Sequence, residues 1–269
     1  MSISVLLTVP VLFLSAFARC DSQPNIVFIF ADDYGWNDIG YHNPIFQTPN
    51  LNSLAADGIK LENYYVAPVC TPSRGQLLTG RYAMRYGLVH RNIRPAQRMC
   101  LPLDEVTLPE KMKQAGYATH MVGKWHQGFY TPACIPTQRG FDSFFGFYIC
   151  TEDYFTHSAS GGFDLKRGET DPLFLYLAYQ SVHAKYASVP QQYSDLYNGI
   201  IEDERRRTLA GMVTCMDEGI GNITKTLKDS GIWDNTILIF SNDNGGLPAH
   251  GGNNWPLRVR ESLYECCSG

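Results

Sequence analysis

The chain has 269 residues, 44% of them hydrophobic, 13% aromatic and 18% charged, which is enough apolar material for one large domain or two small ones and too much for a disordered tail. Lysine and arginine number 22 against 26 acids, a net charge of −4, which excludes a nucleic-acid or anionic-membrane binder held by bulk charge. An anionic ligand would need a local site, and no tract reads as collagen, a heptad array or a short-period repeat.

The apolar run from Val5 to Leu14 falls short of the roughly 20 residues that span a bilayer. With the small residues Ala16-Phe17-Ala18 behind it, it predicts a signal peptide over residues 1–18, and no later run is long enough for a membrane span. The cysteines, eight in all, then belong in an oxidising compartment. Cys100 and Cys134 flank a strand-like segment and are the expected disulfide.

Four continuous apolar runs follow, at residues 26–30, 118–122, 173–179 and 236–240. Continuity, rather than alternation, predicts buried strands of a parallel sheet covered on both faces. Thr48 and Pro49 read as the N-cap and first position of a helix over 50–57, stopped by Gly58, and a second helix over 108–115 stops at Gly116. Residues 202–229 carry Leu209, Met212, Val213, Met216, Ile220, Ile223 and Leu227 at three-to-four spacing, a helix with one buried face. Asn222-Ile223-Thr224 is a glycosylation sequon that would put another part of that helix on the surface. Residues 151–171, rich in glycine and serine, show no helical period. Strands alternating with helices predict an α/β fold.

In such sheets ligands lie beyond the carboxyl ends of the strands, so the residues after each run matter most. They are Asp32 and Asp33, then Lys124 and His126, then His183, then Asp243 and Asn244. Oxygen donors of this kind suit Ca²⁺ or Mg²⁺ rather than zinc, and a cation would relieve crowded carboxylates. Taken singly Asp32, Asp33, Asp243 and Asn244 read as strand-end turn or cap residues, whereas taken as four groups at two strand ends they read as a metal site; His126 and His183 each read equally as a satisfied core histidine. Pro72 predicts a helix starting just after Cys70, which sets that side chain beside free N–H groups suited to a sulfate or phosphate, with Arg74 one turn on. Cys70 itself reads either as a thiolate nucleophile or as a small buried hydrophobe.

Cys70-Thr71-Pro72-Ser73-Arg74 followed by Leu77-Leu78-Thr79-Gly80, and Gly116-Tyr117-Ala118-Thr119-His120-Met121-Val122-Gly123-Lys124-Trp125-His126, resemble the two signatures of the type I sulfatases. Ala31-Asp32-Asp33-Tyr34-Gly35-Trp36, Ser181-Val182-His183 and Asn242-Asp243-Asn244-Gly245-Gly246 fit the same family. The stretch from Gly252 to Arg258 looks most like the arylsulfatase B group, the N-acetylgalactosamine 4-sulfatases. The resemblance implies an alkaline-phosphatase-like sandwich with a mainly parallel sheet, a catalytic domain over 24–258 lacking its C-terminal part, and a divergent end at 259–269. It implies a Ca²⁺ held by Asp32, Asp33, Asp243, Asn244 and the oxygen of a formylglycine (3-oxoalanine) made from Cys70 by the formylglycine-generating enzyme. It further implies a sulfated, glycosaminoglycan-type sugar as substrate, Arg74 and Lys124 as sulfate-holding cations, His126 as base, His183 as acid, and a lysosomal or extracellular destination.

Three departures accompany the resemblance. Glu261 follows Arg260 where relatives carry a sulfate-facing lysine, Tyr264-Glu265-Cys266-Cys267 replaces a Trp-Glu-Gly-Gly turn, and residues 151–171 are short. They leave open a truncated, catalytically impaired form that at most binds sulfated glycans. A phosphatase or phosphodiesterase of the same fold would carry serine or threonine at position 70.

Overall fold

The computed structural model describes residues 23–89, 91–95, 97–155, 173–183 and 188–257, together with the backbone of 158–159 and 162–163. The expected signal peptide, Arg258, the divergent end and much of 151–171 lie outside the described residues.

The four expected strands form: β1 (Asn25–Ala31), β2 (Ala118–Lys124), β6 (Leu173–Ala178) and β7 (Thr236–Asn242). A further strand, β3 (Ser143–Phe147), joins them, and the five pair in the order β3-β2-β6-β1-β7, every pair parallel. The short strands β4 (Ser158–Ala159) and β5 (Gly162–Phe163) form a separate antiparallel pair within the 151–171 segment. Sequence alone missed β3 because its five residues, Ser143-Phe144-Phe145-Gly146-Phe147, are few and broken by a glycine. That glycine is needed where strands approach closely: a Cβ at Gly146 would stand 2.0 Å from the carbonyl oxygen of Gly123.

Along β1 successive side chains enter opposite cores, as the pleat requires. Val27, Ile29 and Ala31 pack with Leu51, Leu209, Val213 and Ile220, from α1 (Pro49–Asp57) and α5 (Glu204–Asp229). Phe28 and Phe30 pack on the other face with Leu78, Leu101, Trp125 and Phe141, on the side of α2 (Cys70–Thr79) and α3 (Leu108–Gln114). Both faces of β1 are therefore dry, which accounts for its unbroken apolar run. β7, at the sheet edge, exposes Ile237 and Ile239.

Helix ends differ in how they are satisfied. α3 carries a capping box, with Thr107 Oγ1 accepting from Glu110 N and Glu110 Oε2 accepting from Thr107 N at 2.8 Å. Asp203 caps α5 by accepting from Arg206 N at 2.8 Å. Thr48, expected to cap α1, does not: its hydroxyl accepts from Gly40 N and donates to Asn52 Oδ1. The free N–H groups of Asn50 and Leu51 instead donate at 3.0 and 2.8 Å to the carboxylate of Asp217. Asp217 is a buried residue of α5, so one carboxylate both caps α1 and ties it to the longest helix. Cys100 and Cys134 form the expected disulfide. The remaining short helix, α4 (Gln191–Asp195), packs against α5.

Candidate active site

Register brings the strand ends together. β1 and β7 are neighbours with Ala31 opposite Asn242, so Asp32-Asp33 and Asp243-Asn244 leave the same edge side by side. Asp243 N donates to Ala31 O at 3.0 Å, Asp33 N donates to Asp243 Oδ1 at 3.3 Å, and Asn244 Nδ2 donates to Asp33 Oδ1 at 2.5 Å. Across the sheet, Lys124 ends β2, and Asp32 exchanges backbone hydrogen bonds with Ser181 and Val182 beyond β6.

α2 begins at Cys70 itself rather than just after it, with Val69 extended before it. Cys70 is buried at the helix N-terminus, where its Sγ lies 3.4 Å from Asp32 Oδ1 and 3.3 Å from Lys124 Nζ. Lys124 Nζ also donates to Asp32 Oδ2 at 2.5 Å. One turn on, Arg74 is fully buried, with Nε 2.9 Å and Nη2 2.8 Å from Asp243 Oδ2, Nη1 donating to the Lys124 carbonyl at 3.0 Å, and Nη2 3.6 Å from Asp32 Oδ2. Its fork thus binds carboxylates of the site, and those carboxylates hold the guanidinium firmly charged despite burial.

Every predicted site residue reaches this rim. Donor atoms of Asp32, Asp33, Cys70 and His183 lie within 4.8 Å of one another. Asp243 and Asn244 reach the group through Asp33, and His183 Nε2 stands 3.7 Å from Asp33 Oδ2. His126 is buried, with Nε2 3.2 Å from the carbonyl oxygen of Ile93 and Nδ1 lacking a hydrogen-bond partner. Since a carbonyl only accepts, Nε2 carries the proton and Nδ1 presents a lone pair. Burial and the nearby Lys124 and Arg74 charges push its pKa well below the usual histidine value, so the ring is neutral near pH 7. Burial pushes the Asp33 and Asp243 carboxyls up, and neighbouring carboxylates push the same way.

Asp33 and His126 are the described non-glycine residues with left-handed backbones, at φ 53° and 52°. Such conformations persist where the surroundings over-determine them, and here they fall at two of the candidate site residues. Sequence reasoning missed the loop that closes this side of the site: Asn92 Oδ1 accepts from Thr71 N at 2.8 Å, and Ile93 N donates to Thr71 Oγ1 at 3.1 Å. No local pattern marks such contacts.

Residues 24–261 match the sulfatase family model. The chain belongs to the sulfatase family. Among curated relatives it is 48% identical over 277 residues to arylsulfatase J of Mus musculus, covering 90% of this chain and 46% of that protein. It is 34% identical to N-acetylgalactosamine-6-sulfatase of Homo sapiens, covering 90% of this chain and 55% of that one. The chain therefore spans about half the length of these relatives. Of solved structures, Ps i-CgsB superposes with a TM-score of 0.81 at 30% identity, covering 89% of this chain and 62% of that chain. The same protein in complex with k-i-k-neocarrahexaose gives a TM-score of 0.82 at 29% identity, with the same coverage of both chains. The parallel sheet flanked by helices is thus the alkaline-phosphatase-like sandwich of this sulfatase family. Among the described residues, no helix is long and apolar enough to cross a membrane.

Proposed function

We propose that this sulfatase-family chain hydrolyses sulfate esters of sulfated sugars, using a formylglycine made from Cys70 and a Ca²⁺ held by Asp32, Asp33, Asp243 and Asn244. The observation that carries the reading is the placement of Cys70 at a helix N-terminus, within 3.4 Å of both Asp32 Oδ1 and Lys124 Nζ. A sugar substrate is supported by the relatives named for N-acetylgalactosamine sulfate hydrolysis and by the fold neighbour that holds a neocarrahexaose. The same reading takes the chain through the secretory pathway to the lysosome or cell exterior, meeting the formylglycine-generating enzyme on the way.

The residues fit the ion. Asn244 Oδ1 is buried without a hydrogen-bond partner, three carboxylates converge with Lys124 and Arg74 as the cations beside them, and the four residues assigned to the ion all offer oxygen, with a ring nitrogen of His183 close to Asp32, Asp33 and Cys70. When present, the formylglycine hydrate supplies an oxygen nucleophile and the calcium ion supplies charge stabilisation. Around them, the Lys124 ammonium offers a buried positive charge for a sulfate oxygen, and Arg74 fixes Asp243. His126 Nδ1, neutral and partnerless, accepts a proton as sulfate is released. His183, beside Asp33, donates one to the departing alcohol.

Expression with the formylglycine-generating enzyme tests this directly. The tryptic peptide containing Cys70 is expected to carry the aldehyde and the protein to hydrolyse 4-nitrocatechol sulfate; an unmodified thiol, or no hydrolysis by the modified form, overturns the proposal.

A pH dependence follows from the carboxyls. Asp33 and Asp243 are raised in the folded state, so folded protein holds protons that unfolded chain releases above the ordinary value of 3.8. Bound protons then favour the folded form, and stability of metal-free protein falls as pH rises from that value through the raised ones. Calcium prefers the ionised carboxylates, so its stabilisation grows over the same interval, to about 2.7 kcal/mol at a hundredfold excess over Kd. Thermal melts in EGTA and in Ca²⁺ across pH 4 to 7 check this; parallel curves would contradict it.

A further inference from the structure

Residues 91–99 hold three arginines, Arg91, Arg94 and Arg98, and no carboxylate, in a chain whose net charge is −4. The arginines are exposed, whereas Ile93 between them is buried. This segment is anchored to the site at its centre: Asn92 accepts from Thr71, the residue after Cys70, Ile93 N donates to Thr71 Oγ1, and the Ile93 carbonyl accepts from His126 Nε2. At its far end Leu101 N donates to the carbonyl of Gln127, beside His126, at 2.9 Å. The basic segment is therefore tied at Asn92 and Ile93 to the residue that follows Cys70 and to His126, and Arg94 directly follows the residue that holds His126.

Arg94 and Arg98 make no ion pair among the described residues. The next acids along the chain are Asp104 and Glu105, and Glu105 is taken by Arg81 Nη1 at 2.6 Å. Two exposed guanidinium groups without carboxylate partners among the described residues, carried on a segment bonded to Thr71 and His126 at Asn92 and Ile93, match the charge of an anionic polymer better than that of a lone sugar sulfate. We propose that Arg94 and Arg98 form a second anionic subsite, binding a sulfate or carboxylate on a neighbouring sugar of the same chain. The enzyme would then favour polyanionic oligosaccharides over monosulfated sugars. This inference rests on the sulfatase reading for the position of the reacting sulfate. Forked donation to sulfate oxygens supplies the affinity, and exposure makes it salt-sensitive.

The test uses the full chain matured with the formylglycine-generating enzyme, a chondroitin sulfate oligosaccharide as the polyanion and 4-nitrocatechol sulfate as the small ester. The double substitution Arg94→Ala/Arg98→Ala is expected to raise the oligosaccharide KM about tenfold at low salt, a loss at least about fivefold larger than on the small ester. The Arg94→Lys/Arg98→Lys form should recover most of that difference, because charge is retained. Equal losses on both substrates would mean that the loop merely holds Thr71 and His126 in place, and would overturn the subsite, as would no loss on either. Binding of the same oligosaccharide to Cys70→Ala protein separates this inference from the catalytic one. Arginine-dependent, salt-sensitive binding supports the subsite even if no form hydrolyses an ester, and absence of such binding overturns it.

Discussion

Replacing Cys70 with alanine is expected to lower sulfate-ester turnover by at least about 10³-fold while leaving the fold in place, because the substitution removes the side chain from which the proposed formylglycine nucleophile is made. The structural cost is small. The side chain is buried but short, and the Asp32 and Lys124 groups that it hydrogen-bonds remain paired with each other at 2.5 Å. Thermal stability should change by no more than about 1 kcal/mol. Retained melting temperature and Ca²⁺ response together with lost hydrolysis would place the defect in chemistry. Turnover within tenfold of wild type would show that hydrolysis does not pass through this residue, and a collapsed melting transition would make Cys70 a packing residue after all.

Several parts of this arrangement were legible in sequence for identifiable reasons. β1 is dry on both faces, so its apolar run is unbroken, and the polar residues that follow it mark the candidate rim. The buried stripe of α5 is equally plain, since Leu209, Met212, Val213, Met216, Ile220 and Leu227 all face the core, with Ile223 packed at its margin. What remained hidden depends on separation in sequence. The cap of α1 comes from Asp217, distant in the chain, and nothing near Thr48 announces it. Strand order is hidden in the same way: Asp32 and Asp243 could both be assigned to strand ends, but only the parallel pairing of β1 with β7 makes them neighbours. Arg74 shows the limit most clearly, because its spacing from Cys70 suggests an anion clamp, whereas its guanidinium is already engaged by Asp243 and the Lys124 carbonyl.

That engagement makes Arg74→Met the substitution expected to destabilise the protein most. Arg74 and Asp243 are both completely buried and in contact at 2.8 Å, and Arg74 also stands 3.6 Å from Asp32. Removing the cation leaves Asp243 charged in a dry site or forces it to take up a proton, while Lys124 is already committed to Asp32. Breaking one side of a buried pair typically costs about 3–5 kcal/mol, which in a domain of this size corresponds to a fall of about 10 °C in melting temperature. Adding Asp243→Asn removes the stranded charge, so the double variant should be more stable than Arg74→Met alone, with a coupling of about 1–3 kcal/mol in the cycle. The proposed calcium ion would supply positive charge to the same carboxylates, so the deficit measured in EGTA should shrink when Ca²⁺ is added. Melting temperatures of the four proteins in both conditions decide it: if Arg74→Met melts with wild type in EGTA, the guanidinium is not what balances these carboxylates, and another cation must be sought at the rim.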